Sequence, residues 1–286
     1  MTPAVPATAG PAALSGPPPG LAGTGLAGTG RPRPALAIDV AVLAGRHIRL
    51  MSRRPASIIS AIVLPLVFAL LFFTVFSRVM KRGGIDYIDY LLPAVVIQAV
   101  FFTGMSSAIL AAEDALGGTL RRLRTMSVSR PAPALGLLAA ELTRVLLSLC
   151  VLLAIGAALG FRFHGGPWKA LGFPVVTLVF AAGLVTCHIA LGLALRRLEA
   201  VTTATNLIYF PFVLLSSAFT PASAFPSWLR PVVEQQPVSR VAEALRALTA
   251  TDAAIARPLL IAAAWLLGLG VVGVVGASRA LGRAAA

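Results

Sequence analysis

The chain has 286 residues, of which 58% are hydrophobic and only 12% are charged. Ordinary soluble domains carry about twice that share of charge, so the composition excludes a soluble globular protein and predicts an all-α polytopic membrane protein. The net charge of +14 would suit nucleic-acid binding. Excess Arg in cytoplasmic loops explains it better, because those side chains fix topology and meet anionic lipid. We therefore expect the lipid bilayer, and no nucleic acid, as a partner.

Residues 1–36 form a low-complexity segment of Ala, Gly, Pro and Thr, in which the pentapeptide Leu-Ala-Gly-Thr-Gly begins at Leu21 and again at Leu26. Such a composition cannot bury enough apolar surface to offset the loss of conformational entropy. We expect a disordered cytoplasmic tail here. The segment lacks the charged start and the apolar stretch of a signal peptide.

Residues 37–54 show the pattern of an amphipathic helix. On a helical wheel Asp39 and most of the arginines fall within one narrow wedge, and apolar residues cover much of the rest. The segment carries too many charges to span a bilayer, so we expect it to lie in the membrane interface. The arginines expected to face the headgroups are Arg46, Arg49, Arg53 and Arg54. A solvated helix beside the membrane is the alternative.

Six apolar runs follow, and each is near or above the roughly 20 residues needed to cross the hydrocarbon of a bilayer. We predict six transmembrane helices over residues 57–76, 90–112, 132–160, 170–195, 201–219 and 258–278. With both termini on the cytoplasmic side, the larger share of the 24 Lys and Arg residues is cytoplasmic, as the positive-inside rule requires. The excess of Arg over Lys and the abundance of Ala suggest a bacterial genome, and hence a multi-pass protein of the plasma membrane.

Residues 113–130 are a dense charged segment between two apolar runs, so they must lie at a membrane face, and their arginines favour the cytoplasmic face. The segment begins acidic, with Glu113 and Asp114, and continues through Gly117 and Gly118. It then becomes basic, at Arg121, Arg122, Arg124 and Arg130. This order suits the dipole of a helix, and the two glycines favour two short helices over one long helix.

The segment before the last apolar run, residues 221–257, is long and punctuated by prolines. It holds Trp228, which suits the membrane interface, and an amphipathic stretch from Ser239. We predict that this segment forms helices on the outer side of the membrane.

These two segments resemble the permease subunits of type-2 ABC exporters, and most of all the daunorubicin/doxorubicin-resistance branch. In the charged segment the resemblance rests on the acidic residues, the glycine, the Arg-x-Arg pair and Met126. In the outer segment it rests on Pro-x-Trp-Leu, then Gln-Pro-Val-Ser, then Glu-Ala-Leu-Arg, which is similar to the external re-entrant helix of that family. One departure is Ser127, where the family usually has Pro. The resemblance covers nearly the whole chain after residue 37.

In that family the first cytoplasmic loop docks into a separate ATP-binding subunit. The resemblance therefore implies that a set of charged and turn residues couples the permease to the ATPase: Glu113, Asp114, Gly118, Arg121, Arg122, Arg124 and Arg130. It also implies a pair of permeases, a homodimer or two different chains, with two ATPase subunits that use ATP and Mg. The sequence agrees, because neither Lys81 nor Lys169 stands in the Gly-x-x-x-x-Gly-Lys-[Ser/Thr] motif of a phosphate-binding loop.

No pattern of catalytic or metal-ligating residues is evident. The three histidines His47, His164 and His188 lie far apart and form no His-Glu-x-x-His motif. Cys150 and Cys187 lie within apolar runs and are expected to serve in packing. We expect no catalytic residue, no metal and no cofactor bound by this chain.

Glu141 and Arg144 are charged residues inside a predicted span. At i and i+3 they share a helix face and neutralise each other. Two interpretations remain open: a structural pair near the cytoplasmic end of the bundle, or a pair that transmits motion from the charged segment.

A further set of polar residues lies in the predicted second, fourth and fifth spans. The resemblance implies that the second and fifth spans line the transport pathway. The candidates are Gln98, Thr103, Ser106, His188, Thr203 and Asn206. Contacts between helices are the alternative role for each of them.

The apolar character of the predicted spans favours a hydrophobic or amphipathic substrate, such as a drug, an antibiotic or a lipid-like molecule. We therefore expect an exporter permease that works by alternating access. Three alternatives stay open: an ABC permease for polysaccharide or glycolipid, a proton-driven secondary transporter, and a membrane enzyme.

Overall fold

Helices are the regular elements of the part of the chain that the structure describes, and the all-α class is confirmed there. The computed structural model describes residues 36–52, 55–82, 87–125, 128–129, 131–251 and 253–283. Apart from Leu36, the predicted tail lies outside them. The helices are α1 (Leu36–Ser52), α2 (Pro55–Arg82), α3 (Tyr87–Leu116), α4 (Thr119–Thr125), α5 (Ala132–Ala158), α6 (Pro167–Leu195), α7 (Leu198–Leu214), α8 (Arg230–Gln235), α9 (Pro237–Thr249) and α10 (Ala256–Arg283). A 3₁₀ helix, Ala222–Ala224, precedes α8.

Among the described residues, four helices are long and apolar enough to cross a membrane: α3, α5, α6 and α10. The stretch Val63–Val75 within α2, and α7, are apolar but shorter. These two correspond to the predicted first and fifth spans, so the structure supports a polytopic membrane protein and leaves the count of six spans a prediction.

Helix α7 ends at Leu214, before the predicted limit at residue 219. The hydroxyl of Ser216 donates to the Val213 carbonyl at 2.7 Å. The next backbone N–H, of Ser217, donates to the Ser239 hydroxyl of α9 at 2.9 Å rather than to a carbonyl of its own helix. Contact with α9 thus replaces the last helical turn, and no local sequence signal marks that contact.

Helices α3 and α6 form the centre of the bundle and run parallel. Gly104 of α3 lies beside His188 of α6, and one turn further along Gly192 lies against Ala108. A Cβ added to Gly192 would overlap the carbonyl oxygen of Ala108, so the two backbones touch there. Small residues at such crossings allow membrane helices to approach closely.

Helix α10 packs on the other side of α6, also in parallel. An added Cβ would lie 3.2 Å from Leu269 at Gly183, 3.0 Å from the Cys187 nitrogen at Gly273 and 3.1 Å from Ala190 at Gly276. The small residues again set a short distance between helices. The C-terminal ends of α3, α6 and α10 therefore lie at the same end of the bundle.

The opposite end of the bundle is closed by α9, in which ten of the 13 residues are buried. The connection between α5 and α6 contacts its C-terminal end. His164 N donates to the Thr249 carbonyl at 2.9 Å, and Lys169 Nζ donates to the carbonyls of Ala250 and Thr251, each at 3.0 Å. The structure thus gives the predicted outer segment helices, while its re-entrant depth in a membrane stays a prediction.

Candidate functional site: the charged end of the bundle

The predicted coupling segment begins on the last turn of α3, which carries Glu113 and Asp114. The helix ends at Leu116, and Gly117 N still donates to the Glu113 carbonyl at 2.8 Å. Gly118 has a φ of 71°, a left-handed conformation that glycine adopts without a steric penalty. Helix α4 then begins at Thr119. The helix break thus falls at the two glycines, where the sequence places it.

Asp114 contacts α1. Its carboxylate lies 3.7 Å from Arg46 Nη2 and 3.7 Å from His47 Nε2. Burial lowers the pKa of His47, and the carboxylate of Asp114 opposes that shift only in part. His47 is therefore neutral near pH 7, and Arg46 supplies the charge of this contact.

A second contact joins α1 to the far end of the segment. Asp39 Oδ2 accepts hydrogen bonds from Ser129 N at 2.9 Å and from the Ser129 hydroxyl at 2.8 Å. Both donors are satisfied by one carboxylate, which is an arrangement stronger than a neutral hydrogen bond. Helix α1 therefore holds the segment at both of its ends, once through Asp114 and once through Ser129.

Helix α1 is itself fixed on α5. Leu43, Ala44 and His47 are its buried residues. A Cβ added to Gly136 of α5 would lie only 2.6 Å from the Leu43 Cβ, so the helices meet where α5 has no side chain. The opposite side of α1 leaves Val42 65% exposed. An apolar residue left exposed there is consistent with the predicted interfacial position.

Several charged side chains at this end of the bundle are exposed, among them Glu113, Arg122 and Arg49. The side chain of Arg46 is 42% exposed despite its contact with Asp114. Of Arg121 and Arg124 the structure describes the backbone in α4, and the remaining predicted members Arg53, Arg54 and Arg130 lie outside the described residues. The exposed charges of both signs form a surface that can receive a partner protein.

Glu141 and Arg144 lie inside the bundle. Arg144 Nη2 is 2.5 Å from Glu141 Oε2, and the two side chains are 1% and 0% exposed. Arg144 also donates to the carbonyl of Thr103, near the middle of α3, at 3.4 Å. The pair is therefore deep in the bundle, and mutual neutralisation lowers the cost of burying two charges.

The predicted pathway residues of α3 turn into the bundle. Gln98 Nε2 donates to the Tyr209 hydroxyl of α7 at 2.8 Å. Thr103 is fully buried. Ser106 donates to the Phe102 carbonyl of its own helix at 2.9 Å. Of these side chains, Gln98 joins two helices, α3 and α7.

The predicted pathway residues of α7 lie differently. Thr203 is exposed, and Asn206 donates to the Thr202 carbonyl of its own helix at 2.8 Å. Beside them Leu207 is 72% exposed and Phe210 is 54% exposed. This face of α7 is partly polar and partly apolar, and no other segment in the described part of the chain covers it.

His188 forms part of the wall of a cavity of about 170 Å³. Its Nδ1 donates to the Leu184 carbonyl at 2.8 Å, because a carbonyl can only accept. Its Nε2 has no hydrogen-bond partner among the described residues. The rest of the wall is almost entirely apolar, and includes Phe101, Phe180, Ile208, Phe212 and Val238. Because Val238 belongs to α9, the cavity extends toward the end of the bundle that α9 closes.

Sequence reasoning did not single out Arg246 of α9, although its side chain makes more hydrogen bonds than any other at the end of the bundle that α9 closes. Its Nε and Nη2 each donate to the Tyr90 carbonyl at 3.2 Å, and its Nη1 donates to the Ser217 carbonyl at 3.0 Å. A further bond from Nη2 goes to the Ala218 carbonyl. No local signal in the sequence marks Arg246, because α9 has an amphipathic pattern, which favours a surface position for an arginine.

No group of three or more His, Cys, Asp or Glu side chains that could hold a metal ion occurs among the described residues. The site is thus a surface of charged helix ends, joined by α3 and α5 to the interior of the bundle.

In the described part of the chain, an all-helical bundle with four membrane-length helices and a charged helical segment at one end defines a polytopic membrane protein. The ABC-2 type transporter family model matches residues 39–249, which include α1, the charged segment and α9. The chain belongs to the ABC-2 type transporter family, as the resemblance of its two segments indicates.

Several curated permeases are similar to this chain. The daunorubicin resistance ABC transporter permease protein DrrB1 of Streptomyces coeruleorubidus is 28% identical over 194 residues, which are 68% of this chain and 69% of that protein. The doxorubicin resistance ABC transporter permease protein DrrB of Mycobacterium tuberculosis is 29% identical over 160 residues, 56% of this chain and 55% of that protein. The probable permease DrrC of the same organism is 27% identical over 221 residues, 76% and 78% of the two chains. The resemblance to the daunorubicin/doxorubicin-resistance branch is thus confirmed.

Proposed function

We propose that this chain is the membrane-spanning subunit of an ATP-driven exporter in the bacterial plasma membrane, with six spans and both termini cytoplasmic. Two permeases work with two copies of a separate ATP-binding subunit, which binds ATP and Mg. The complex moves a hydrophobic or amphipathic small molecule out of the cytoplasm by alternating access. Membership of the ABC-2 type family supports the pairing with an ATP-binding subunit.

The observation that carries this proposal is the attachment of the charged segment to α1. Asp114 contacts Arg46, and Ser129 contacts Asp39, so a force applied to α4 is shared by α1, α3 and α5. A switch requires a partner that contacts its two states differently. An ATPase dimer that closes on ATP binding supplies such a partner. The exposed Glu113 and Arg122, together with Arg121 and Arg124, are its proposed contacts.

The buried charges support ATP as the energy source over a proton gradient. Glu141 is the one carboxylate that is fully buried in the described part of the chain, and Arg144 neutralises it at 2.5 Å. A proton relay through a membrane uses a chain of ionisable groups. A single paired carboxylate is poorly suited to that role.

The names of the relatives connect them with resistance to daunorubicin and doxorubicin. We propose that this chain also takes an amphipathic aromatic substrate. The cavity beside His188 holds about 170 Å³, close to the roughly 150 Å³ of an apolar cavity that takes one benzene. A molecule of several rings needs more space. The uncovered face of α7, with Thr203 and Leu207, supplies it if two permeases face each other there.

The test is copurification of the ATPase. The tagged chain is expressed with its neighbouring genes and isolated in mild detergent, and the ATPase is quantified per permease. The triple variant R121A/R122A/R124A is expected to insert normally and to lose most of the ATPase. The matched control R162A/R230A/R257A removes the same charge from the opposite end and is expected to retain it.

Two results would overturn the proposal. Equal ATPase recovery with R121A/R122A/R124A would remove the coupling role of α4. A wild-type chain that copurifies with no ATPase, and transports in proteoliposomes under a proton gradient, would contradict an ATP-driven exporter.

A further inference from the structure

A groove of about 610 Å³ runs between the C-terminal halves of α6 and α10. Its floor is apolar and is built from Leu191 and Ala194 of α6 and Val272 and Gly276 of α10. Three arginines, Arg196, Arg279 and Arg283, also line it. No Asp or Glu stands among its lining residues. The groove thus combines an apolar length with a strongly basic end.

None of these arginines forms an ion pair within the described residues, where the ion pairs involve Arg46, Arg144, Arg240 and two histidines. Three guanidinium groups that line one groove without an acidic partner repel one another. An anion held between them removes that repulsion and accepts charge-assisted hydrogen bonds. The basic end therefore selects an anionic group, and a phosphate matches the fork of a guanidinium.

The length of the groove identifies the rest of the ligand. Val272 and Arg283 lie on one helix, and a rise of 1.5 Å per residue places them about 16 Å apart. That is about half of the ~30 Å hydrocarbon of a bilayer, which is the depth of one leaflet. A soluble anion would leave this floor empty, and a peripheral protein cannot reach it inside the hydrocarbon.

We propose that the groove between α6 and α10 binds one anionic glycerophospholipid, with its phosphate between Arg196, Arg279 and Arg283 and one acyl chain along Val272 and Ala194. The site lies at the same end of the bundle as the charged segment, because α3, α6 and α10 run parallel. Its assignment to the cytoplasmic leaflet rests on the proposed orientation, whereas the binding itself does not.

The test uses the purified full-length chain without an ATPase, so that failure of the proposed function cannot be mistaken for failure of this inference. The chain is delipidated in detergent and titrated with phosphatidylglycerol or phosphatidylcholine of identical acyl chains, and bound lipid is counted by native mass spectrometry. One phosphatidylglycerol is expected to bind in preference to phosphatidylcholine.

Two pairs of variants separate the contribution of the lipid headgroup to binding from that of the acyl chain. R279Q/R283Q is expected to bind phosphatidylglycerol about 30-fold more weakly, since each juxtamembrane arginine contributes about 5-fold. R162Q/R257Q, at the opposite end, serves as its control and is expected to bind as wild type. V272W fills the floor without changing charge and is expected to weaken binding, whereas V271W, outside the groove, is not. Size-exclusion profiles establish that each variant is folded.

Unchanged phosphatidylglycerol binding in R279Q/R283Q would overturn the proposal. An effect of the arginines without an effect of V272W would also overturn it, because the site would then bind a surface phosphate only. If R279Q/R283Q retains lipid but loses the copurified ATPase, these arginines are a protein contact, and the lipid site is contradicted.

Discussion

The guanidinium carbon of Arg246 lies 3.5 Å from the centroid of the Tyr90 ring, while the Tyr90 hydroxyl donates to the Ser217 carbonyl at 2.7 Å. A cation over an aromatic face gains energy when water is excluded, and this arginine is partly buried. The two side chains together join the start of α3 and helix α9 to Ser217 and Ala218, which follow α7. The α9 end of the bundle is therefore held by a charged group that forms no ion pair with a carboxylate among the described residues.

Arg246→Gln is expected to destabilise the chain in detergent by about 2–3 kcal/mol, because several buried carbonyls lose a charged donor at once. Arg246→Lys is expected to recover little of this, since an ammonium group cannot reproduce the planar fork. Thermal unfolding followed by tryptophan fluorescence measures both. Arg240→Gln is the control: its pair with the exposed Glu243 contributes only about 0–1 kcal/mol. Full rescue by Lys would show that charge alone matters.

Glu141→Gln is expected to cost about 3–5 kcal/mol, since it leaves the buried charge of Arg144 uncompensated. The double variant Glu141→Gln with Arg144→Leu is expected to be more stable than the single one, because no charge is then left alone. A double-mutant cycle on unfolding in detergent measures the coupling. Simple addition of the two losses would argue against the pair.

Gly136→Ala is expected to displace α1 from α5, because the new methyl group would lie 2.6 Å from the Leu43 Cβ. Overpacking of this kind typically costs about 1–3 kcal/mol. Labelling of a cysteine placed at Ala44 should rise as the helix leaves α5. Gly268→Ala in α10 is a matched control, because nothing lies within 4 Å of its added Cβ. Unchanged labelling of the Gly136→Ala variant would show that α1 adjusts in place.

Acidification is expected to loosen α1. Burial lowers the pKa of His47 in the folded chain from its ordinary value of 6.5, so the undocked helix binds the proton more readily. Docking is therefore fully stable above about pH 6.5 and is lost as the pH falls through that value toward the lower pKa. Asp114 opposes the loss and Arg46 adds to it. The same cysteine labelling, measured from pH 7.5 to pH 5, should rise in the chain with His47 relative to the His47→Gln variant, which corrects for the loss of reactive thiolate at low pH.

Features that depend on neighbours in sequence could be predicted. Gly117 and Gly118 end α3 because the signal is local, and Glu141 can meet Arg144 because i and i+3 share a helix face. The approximate positions of the apolar helices follow from hydropathy for the same reason. Each of these predictions required no knowledge of how the helices pack.

Features that depend on packing could not be predicted. The contact of Asp114 with Arg46 joins α3 to α1, and it exists only because Gly136 admits Leu43. Arg246 lies on a helix with an amphipathic pattern, and that pattern predicts a surface position for an arginine. Its actual surroundings follow from the packing of α3 and α7 around it. The end of α7 at Leu214 is set by the hydroxyl of Ser239 on another helix. In every case the deciding partner is remote in the chain.

The backbone contact of Gly192 with Ala108 has a mechanical consequence. No side chain separates α3 from α6 at that crossing. The two helices therefore lack a deformable layer of side chains between them that would let one slide along the other or move closer to it. We therefore expect a displacement applied at α4 to move both helices together. We expect α3 and α6 to move as one rigid body and not to deform.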